Sequence, residues 1–116
     1  MHDSPKRAVR CVRLATEDAP ALSSLESRCF ALPWTEQAFA EAFAGKTFHA
    51  FGIRETASPL SPRELAGYIA VYHTPDEVEI LNIAVREDRR RHGYGRLLMA
   101  TALQDAKETG ILQGVL

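Results

Sequence analysis

The chain has 116 residues, with 14 Lys and Arg against 15 Asp and Glu, so its formal net charge is −1. This length fits one domain, and the shares of 46% hydrophobic and 25% charged residues are typical of a globular protein, which excludes a wholly disordered chain. The near-zero net charge argues against a protein that coats nucleic acid through bulk electrostatics and leaves room only for a local basic patch.

The chain begins with a predicted strand and a predicted helix. Apolar residues alternate with polar ones over residues 7–14, which indicates a strand. Thr16 is predicted to cap the helix that follows. Leu22, Leu25 and Cys29 recur at the spacing of a helix and give it one apolar face.

A second helix is predicted after Pro33, which ends the first one. Thr35 is placed to cap it, and the preceding Trp34 is placed to pack on Phe39 as a hydrophobic staple. Gly45 supplies a natural end to this helix.

The second half of the chain predicts strands first and then a helix. Strands are expected over residues 47–54, 65–73 and 77–85, followed by a charged loop over 86–95, a helix over 96–109 and a last strand over 111–116. The order is therefore β-α-α-β-β-β-α-β, an α/β fold with a mixed sheet. Its last strand–helix–strand unit implies a parallel pair of strands.

The loop between the third of these strands and the last helix is the part that carries chemistry. It reads Arg90-x-x-Gly93-x-Gly95. The glycines allow backbone conformations in which successive N–H groups converge on an anion, and the following helix adds partial positive charge at its N-terminus. Arginines at positions 86, 89, 90, 91 and 96 make the locality basic. These features together favour binding of a diphosphate.

Two common phosphate-binding motifs do not fit this loop. A P-loop needs Lys and then Ser or Thr after its last glycine, but Arg96 and Leu97 follow Gly95. A dinucleotide-binding fingerprint that began at Gly93 would need Gly or Ala where Leu98 stands. A simple charged turn between a strand and a helix is the structural alternative.

The run from Ile83-Ala84-Val85 through the arginine–glycine loop to the following leucines resembles motif A of the Gcn5-related N-acetyltransferase (GNAT) superfamily. Within that superfamily, the segments Leu32-Pro-Trp-Thr-Glu36 and Glu79-Ile-Leu-Asn-Ile-Ala-Val85 resemble the bacterial ribosomal-protein-alanine N-acetyltransferases. The resemblance extends from about residue 10 to the last residue. It implies the GNAT fold and the use of acetyl-CoA as co-substrate.

The resemblance also implies which residues hold acetyl-CoA. The backbone of residues 83–85 would line the pantetheine arm, the N–H groups of residues 91–96 would hold the pyrophosphate, and Arg90 would brace the loop. The residues expected to bind the cofactor are Ile83, Ala84, Val85, Arg90, Arg91, His92, Gly93, Tyr94, Gly95 and Arg96.

Catalysis of acetyl transfer requires an amine that loses its proton, a polarised thioester oxygen and protonation of the leaving thiolate. The resemblance implies a Glu base and a Tyr acid beyond Leu116, so the chain alone is expected to be inactive. Glu79 is the candidate base within the chain, because histone acetyltransferases of the superfamily carry a catalytic Glu there. Strand alternation predicts that Glu79 shares a face with Ile83 and Val85, and a solvated strand carboxylate is the alternative interpretation.

The function implied by the resemblance is transfer of acetyl to the N-terminal α-amine of alanine in a small-subunit ribosomal protein. Another N-terminus, a lysine or a small amine are alternative acceptors within the superfamily. A different class of function is a ribosome- or RNA-binding module that uses Arg89, Arg90 and Arg91, although this loop lacks the interleaved aromatic residues typical of such binders.

The remaining candidate ligands and targeting signals favour plain interpretations. Cys11 and Cys29 have no metal spacing and are typical of free thiols in a reducing compartment. His49, His73 and His92 lie on separate predicted elements, so no metal site is expected. No secretory signal or bilayer-spanning apolar run is present in the sequence. We expect a cytoplasmic protein that binds no metal, DNA or membrane.

The last residues, Ile111–Leu116, predict an apolar strand with no turn after it. For the fold that the sequence resembles, the rest of this strand, one helix and a final strand pair would be missing. Residues 1–116 are therefore expected to be a single, C-terminally incomplete domain, whose exposed sheet edge would favour self-association.

Overall fold

The computed structural model describes residues 8–56 and 58–109. Its strands are β1 (Ala8–Arg13), β2 (Phe48–Thr56), β3 (Gly67–His73) and β4 (Val78–Val85). Its helices are α1 (Ala19–Cys29), α2 (Glu36–Ala44) and α3 (Tyr94–Glu108), with short 3₁₀ turns at Thr16–Asp18 and Glu87–Arg89. No helix in these two described ranges is long and apolar enough to cross a membrane.

The four strands form one sheet in the order β1-β2-β3-β4, and every neighbouring pair in it is antiparallel. Helices α1 and α2 pack on one face of this sheet and α3 packs on the other. The predicted α/β class is confirmed. The predicted strand over residues 111–116, and with it the parallel pair, lies outside the described residues.

The core has two halves because the strands bury side chains on both faces. In β2, Phe48 and Ala50 pack with α1 and α2, whereas Phe51 and Ile53 point to the side covered by α3. Burial on both faces explains why β3 reads as a nearly continuous apolar run rather than as strict alternation.

The start of α1 differs from the prediction. Thr16 does not cap the helix; it begins a 3₁₀ turn, and α1 begins three residues later at Ala19. The Asp18 carboxylate causes this offset, because its Oδ2 accepts the Ala15 N–H at 2.9 Å while its Oδ1 accepts from Arg54 Nη2 at 2.5 Å. The residue whose side chain stabilises the turn is thus Asp18, the last residue of the turn, and not Thr16, its first.

The predicted N-terminus of α2 is confirmed. The Thr35 hydroxyl accepts the Ala38 N–H at 3.0 Å, and the rings of Trp34 and Phe39 lie 5.2 Å apart between centroids. Gly45 follows the last helical residue, as predicted. The cap and the staple together fix the direction in which residues 30–35 enter the helix.

A β-bulge in β4 makes one prediction wrong. Ala70 pairs with Asn82, but Val71 pairs with Ile80, so Leu81 is an extra residue on β4. The bulge reverses the alternation, and Glu79 lies on the face of α1 and α2 while Ile83 lies on the face of α3. Glu79 therefore does not share a face with Ile83 and Val85.

Candidate functional site

The loop between β4 and α3 adopts the conformation that converging N–H groups require. Arg91 and Gly93 have left-handed φ values of 69° and 80°, and α3 begins directly afterwards at Tyr94. The N–H groups in the first turn of a helix have no partner within the helix and point along its axis. At the start of α3, these N–H groups border a pocket of about 340 Å³. Its lining consists of Val85, Arg89, Arg90, Arg91, Gly93, Tyr94, Gly95 and Arg96.

The edge of β4 that pairs with no strand among the described residues continues this pocket. The Val85 carbonyl accepts from Arg90 Nε at 3.2 Å and from Cys29 Sγ at 3.7 Å, so it points away from β3. Because main-chain groups alternate with a period of two, those of Ile83 point to the same edge. A second pocket of about 340 Å³ lies there, lined by Cys29, Phe30, Ile83, Ala84, Val85, Arg90 and Gly95. The two pockets share three lining residues and form one groove.

A buried carboxylate anchors the loop to the sheet. Glu55, only 4% exposed at the end of β2, accepts from Arg89 Nε at 2.9 Å, from the Tyr94 hydroxyl at 2.5 Å and from the Ser58 hydroxyl at 2.6 Å. Burial by itself raises the pKa of Glu55, but the three hydrogen bonds and the Arg89 charge outweigh it and hold the pKa below its ordinary value. The loop is therefore fixed at both of its ends.

Two of the five loop arginines serve the fold instead of a ligand. Arg89 is 7% exposed and is bound to Glu55. Arg86 is 8% exposed, and its guanidinium binds Asp88 through two hydrogen bonds of 2.9 Å. Arg90, Arg91 and Arg96 are exposed around the pocket. The basic surface is thus smaller than the sequence indicates, which weakens the interpretation of residues 89–91 as an RNA-binding run.

The remaining loop residues fix its backbone. His92 Nδ1 lies 3.0 Å from the carbonyl oxygens of both Arg89 and Arg90. The His92 ring also lies 5.7 Å from that of Tyr94, whose own side chain is buried. Nine of the ten predicted cofactor residues line the groove, whereas His92 is not in its lining and stabilises the loop through its side chain.

A second buried carboxylate lies on the opposite face of the sheet. Glu26 in α1 is 1% exposed and accepts hydrogen bonds from the Trp34 N–H at 3.0 Å, from Asn82 Nδ2 at 2.9 Å and from the Tyr68 hydroxyl. Burial raises the pKa of Tyr68, and its hydrogen bond to the negative Glu26 raises it further. This network connects α1, β3, β4 and residues 30–35.

Glu79, the candidate base, is exposed on β4 opposite Tyr72. Tyr72 also lines a shallow groove together with Trp34 and Thr35 at the start of α2. Glu79 therefore lies on the same face of the sheet as α1, α2 and this shallow groove. It is not one of the side chains that line the cofactor groove.

The sequence interpretation missed both buried glutamates. Glu26 had a detectable signal, because it lies between Leu25 and Cys29 on the apolar face of α1, where a carboxylate needs a partner. Glu55 had none, since it lies at the border of a polar loop. The sequence indicates Asn82 only as part of the segment Glu79–Val85 that carries the resemblance. In the structure its Nδ2 donates to Glu26 and its Oδ1 accepts the Ile83 N–H.

The acetyltransferase (GNAT) family matches residues 19–116 of the chain. Among curated relatives, the ribosomal protein bS18-alanine N-acetyltransferase of Escherichia coli (strain K12) is 30% identical over 98 residues, which cover 84% of this chain. The chain spans 62% of that relative's length.

Solved structures show the same fold. The crystal structure of the ribosomal-protein-S18-alanine N-acetyltransferase from Escherichia coli aligns with a TM-score of 0.76 at 28% identity, over 90% of this chain and 63% of that one. The PaiA N-acetyltransferase from Thermoplasma acidophilum, in complex with coenzyme A, aligns with a TM-score of 0.73 at 13% identity, over 90% of this chain and 75% of that one. With a family match over residues 19–116 and the fold of these structures, the chain belongs to the GNAT acetyltransferase family.

Proposed function

We propose that the protein is an acetyl-CoA-dependent N-acetyltransferase that transfers acetyl to the N-terminal α-amine of a protein substrate. The observation that carries this proposal is the groove that runs from the edge of β4 opposite β3 to the N-terminus of α3. Its one end offers main-chain groups of residues 83–85, and its other end offers helix N–H groups among exposed arginines. This combination suits an extended amide chain that ends in a diphosphate.

The residues present fit acetyl-CoA. A Cβ added at Gly95 would meet no atom within 4 Å, so the backbone is open to close approach by a ligand. Arg90, Arg91 and Arg96 would neutralise the phosphates, and the edge of β4 would pair with the pantetheine amides as a neighbouring strand does. The ten predicted cofactor residues keep these proposed roles.

The proposal for the acceptor rests on the relatives and on the face of the sheet that α1 and α2 cover. The Escherichia coli relative acts, by its name, on the alanine of ribosomal protein bS18, which supports an N-terminal alanine of a small-subunit ribosomal protein as the acceptor. The shallow groove beside Trp34 and Tyr72 would receive it, with Glu79 as the candidate proton acceptor. Another N-terminus, a lysine or a small amine are the alternative acceptors.

Calorimetric titration with acetyl-CoA tests the cofactor half of the proposal. We expect the wild-type chain to bind, and we expect Gly93→Val to bind at least about tenfold more weakly, because a β-branched residue is strained at a φ of 80°. Gly45→Val is the matched control, since Gly45 has an ordinary φ of −79° at the end of α2. If neither wild type nor control binds acetyl-CoA, the proposed function is wrong.

Quenching of Trp34 fluorescence tests the acceptor half, because Trp34 is the sole tryptophan. With acetyl-CoA present, a peptide that begins with Ala is expected to quench Trp34, and the same peptide with a blocked N-terminus is not. Turnover of this peptide that Glu79→Gln abolishes would assign the base to Glu79, and turnover that persists in Glu79→Gln would exclude it.

The RNA-binding alternative makes the opposite prediction. Tight binding of a generic RNA that weakens steeply with salt, combined with no response to acetyl-CoA, would support it. Arg89 is buried in an ion pair with Glu55, so it is not available to contact RNA, which argues against the RNA-binding alternative.

A further inference from the structure

Glu26 lies between residues 30–35, whose Phe30 lines the groove, and Asn82 on β4. One of its oxygens, Oε1, accepts the backbone N–H of Trp34, in the segment that borders the proposed acceptor site. The other, Oε2, accepts from Asn82 Nδ2 and from the Tyr68 hydroxyl. Among the described residues no Lys, Arg or His donates to this carboxylate, so all three of its bonds come from neutral groups.

A carboxylate that only accepts decides how the Asn82 amide is turned. Because Glu26 accepts, the NH₂ group of Asn82 must face it, and Nδ2 also lies 3.1 Å from the Tyr68 oxygen. The carbonyl oxygen of Asn82 is then left on the other side, where it accepts the Ile83 N–H at 3.0 Å. Glu26 thus determines the orientation of the Asn82 amide, and this orientation determines which Asn82 atom faces the Ile83 N–H at the edge of β4.

Ile83 is the residue at which this orientation matters. Its main-chain groups point to the edge of β4 opposite β3, as those of Val85 do, and they follow directly after the bulge. If the Asn82 amide turned over, its NH₂ group would face the Ile83 N–H, and two donors would be forced together. The local path of β4 would then change at the groove.

We propose that Glu26 is a positioning residue for acetyl-CoA binding, which acts through Asn82 on the Ile83 edge and through the Trp34 N–H on residues 30–35, whose Phe30 lines the groove. This inference rests on the proposed function, because it assumes that the groove takes acetyl-CoA. Glu26 is buried and lines neither this groove nor the shallow groove beside Trp34 and Tyr72. It keeps the Ile83 edge and residues 30–35 in register.

Glu26→Gln is the direct perturbation. The Gln side chain has one acceptor and one donor group, so it cannot accept from Trp34, Tyr68 and Asn82 together, and the Asn82 amide turns over. We expect the Kd for acetyl-CoA to rise about tenfold, the equivalent of one lost hydrogen bond to a charged group. We also expect the emission of Trp34 to shift to longer wavelength as its segment loosens.

A reciprocal exchange distinguishes positioning from a general need for stability. In the double variant Glu26→Gln/Asn82→Asp, the carboxylate is at position 82 and can accept from both the introduced glutamine amide and the Ile83 N–H. We expect this variant to bind acetyl-CoA within about threefold of wild type and to recover the Trp34 emission, whereas Asn82→Asp alone places two carboxylates together and binds weakly. Recovery of binding by the exchange is not expected of a residue that only adds stability.

The experiment measures acetyl-CoA affinity, Trp34 emission and thermal unfolding for wild type, the three variants and two further ones. Val71→Ala, in the core on the α3 face, is a control that lowers stability without touching the groove. Asn82→Ala removes the amide through which Glu26 acts, and it remains informative if the charge variants do not fold. It is expected to weaken acetyl-CoA binding about tenfold.

Three results for the variants at positions 26 and 82 would overturn the inference. They are wild-type affinity in folded Glu26→Gln, wild-type affinity in Asn82→Ala, or a folded exchange variant that binds no better than Glu26→Gln. A loss of affinity in Val71→Ala equal to that in Glu26→Gln would also overturn it, because stability alone would then explain the loss. If wild type itself fails to bind acetyl-CoA, the proposed function fails and this inference fails with it.

Discussion

Glu26 and Glu55 are both buried glutamates that accept a hydrogen bond from a tyrosine, but their other partners differ. Glu55 faces a cation, Arg89, and the pair fixes the loop that precedes α3. Among the described residues, Glu26 accepts hydrogen bonds only from neutral donors, and it connects residues 30–35 to β4. Both carboxylates join several elements, but only Glu55 also neutralises a buried cation, so the cost of removing its charge is expected to be larger.

Removal of the charge at Glu55 is expected to have the largest effect on stability. Glu55→Gln leaves the buried Arg89 guanidinium with only the half-exposed Asp88 carboxylate, 3.6 Å away, as a counter-charge, which costs about 3 kcal/mol of the free energy of unfolding. Urea unfolding measures this loss. Glu87→Gln is the matched control, because Glu87 forms its ion pair with Arg28 at the exposed surface and should change stability little.

The pH dependence of the same variant sharpens this prediction. Since the pKa of Glu55 is lower in the folded chain than its ordinary value of 4.5, its stabilisation is complete above pH 4.5 and is lost as pH falls through the folded pKa. The difference between wild type and Glu55→Gln should therefore narrow in acid. A difference below about 1 kcal/mol at neutral pH would contradict charge pairing as the source of the stability.

Glu26→Gln is expected to cost less. No buried cation is left behind, so the loss is that of imperfectly satisfied hydrogen bonds, about 1–3 kcal/mol by the same urea unfolding. We therefore expect the free energy of unfolding to fall less in Glu26→Gln than in Glu55→Gln. If Glu26→Gln costs as much as Glu55→Gln or more, the distinction between a charge-paired and a neutral network does not hold.

A third region, at the far end of α3, provides a smaller effect in a different pH range. The rings of His49 and His73 stack at 4.1 Å between centroids. Burial lowers the pKa of His73 below 6.5, and the nearby Arg13 charge lowers it further against the opposing effect of Asp105. The unfolded chain thus binds more protons as pH falls, and stability decreases from about pH 6.5 downward.

Unfolding measured at pH 7.5 and 5.5 tests this region. Buried His73 should contribute part of the loss in wild type, and His73→Gln should remove that part of the pH dependence. Glu55, whose pKa is lowered, stays ionised throughout this window. An unaltered slope in His73→Gln would show that another group is responsible.

The sequence was sufficient for the features that depend on local chemistry. The Thr35 cap, the contact between Trp34 and Phe39, and the loop with its left-handed Gly93 all follow from residue types at fixed spacing. They could be predicted because each involves neighbours within one turn or one loop. The family resemblance added the groove that no single element shows.

What could not be predicted depends on partners distant in sequence. The bulge at Leu81 reverses the faces of β4, and no local signal marks it, because it is a property of the register with β3. The burial of Glu55 and Arg89 requires a contact across 34 positions, so each alone reads as an exposed charge. The offset of α1 likewise comes from Asp18 and its bond to Arg54.

Binding of a diphosphate against the first turn of α3 is tested most directly at Gly95. Gly95→Ala adds a methyl group where no atom lies within 4 Å, and a helical Gly replaced by Ala should raise stability by about 0.5 kcal/mol. We predict that thermal unfolding and acetyl-CoA titration of one sample show unchanged or higher stability together with a Kd raised at least about tenfold. A Gly95→Ala chain that binds acetyl-CoA as wild type does would contradict a diphosphate at this position.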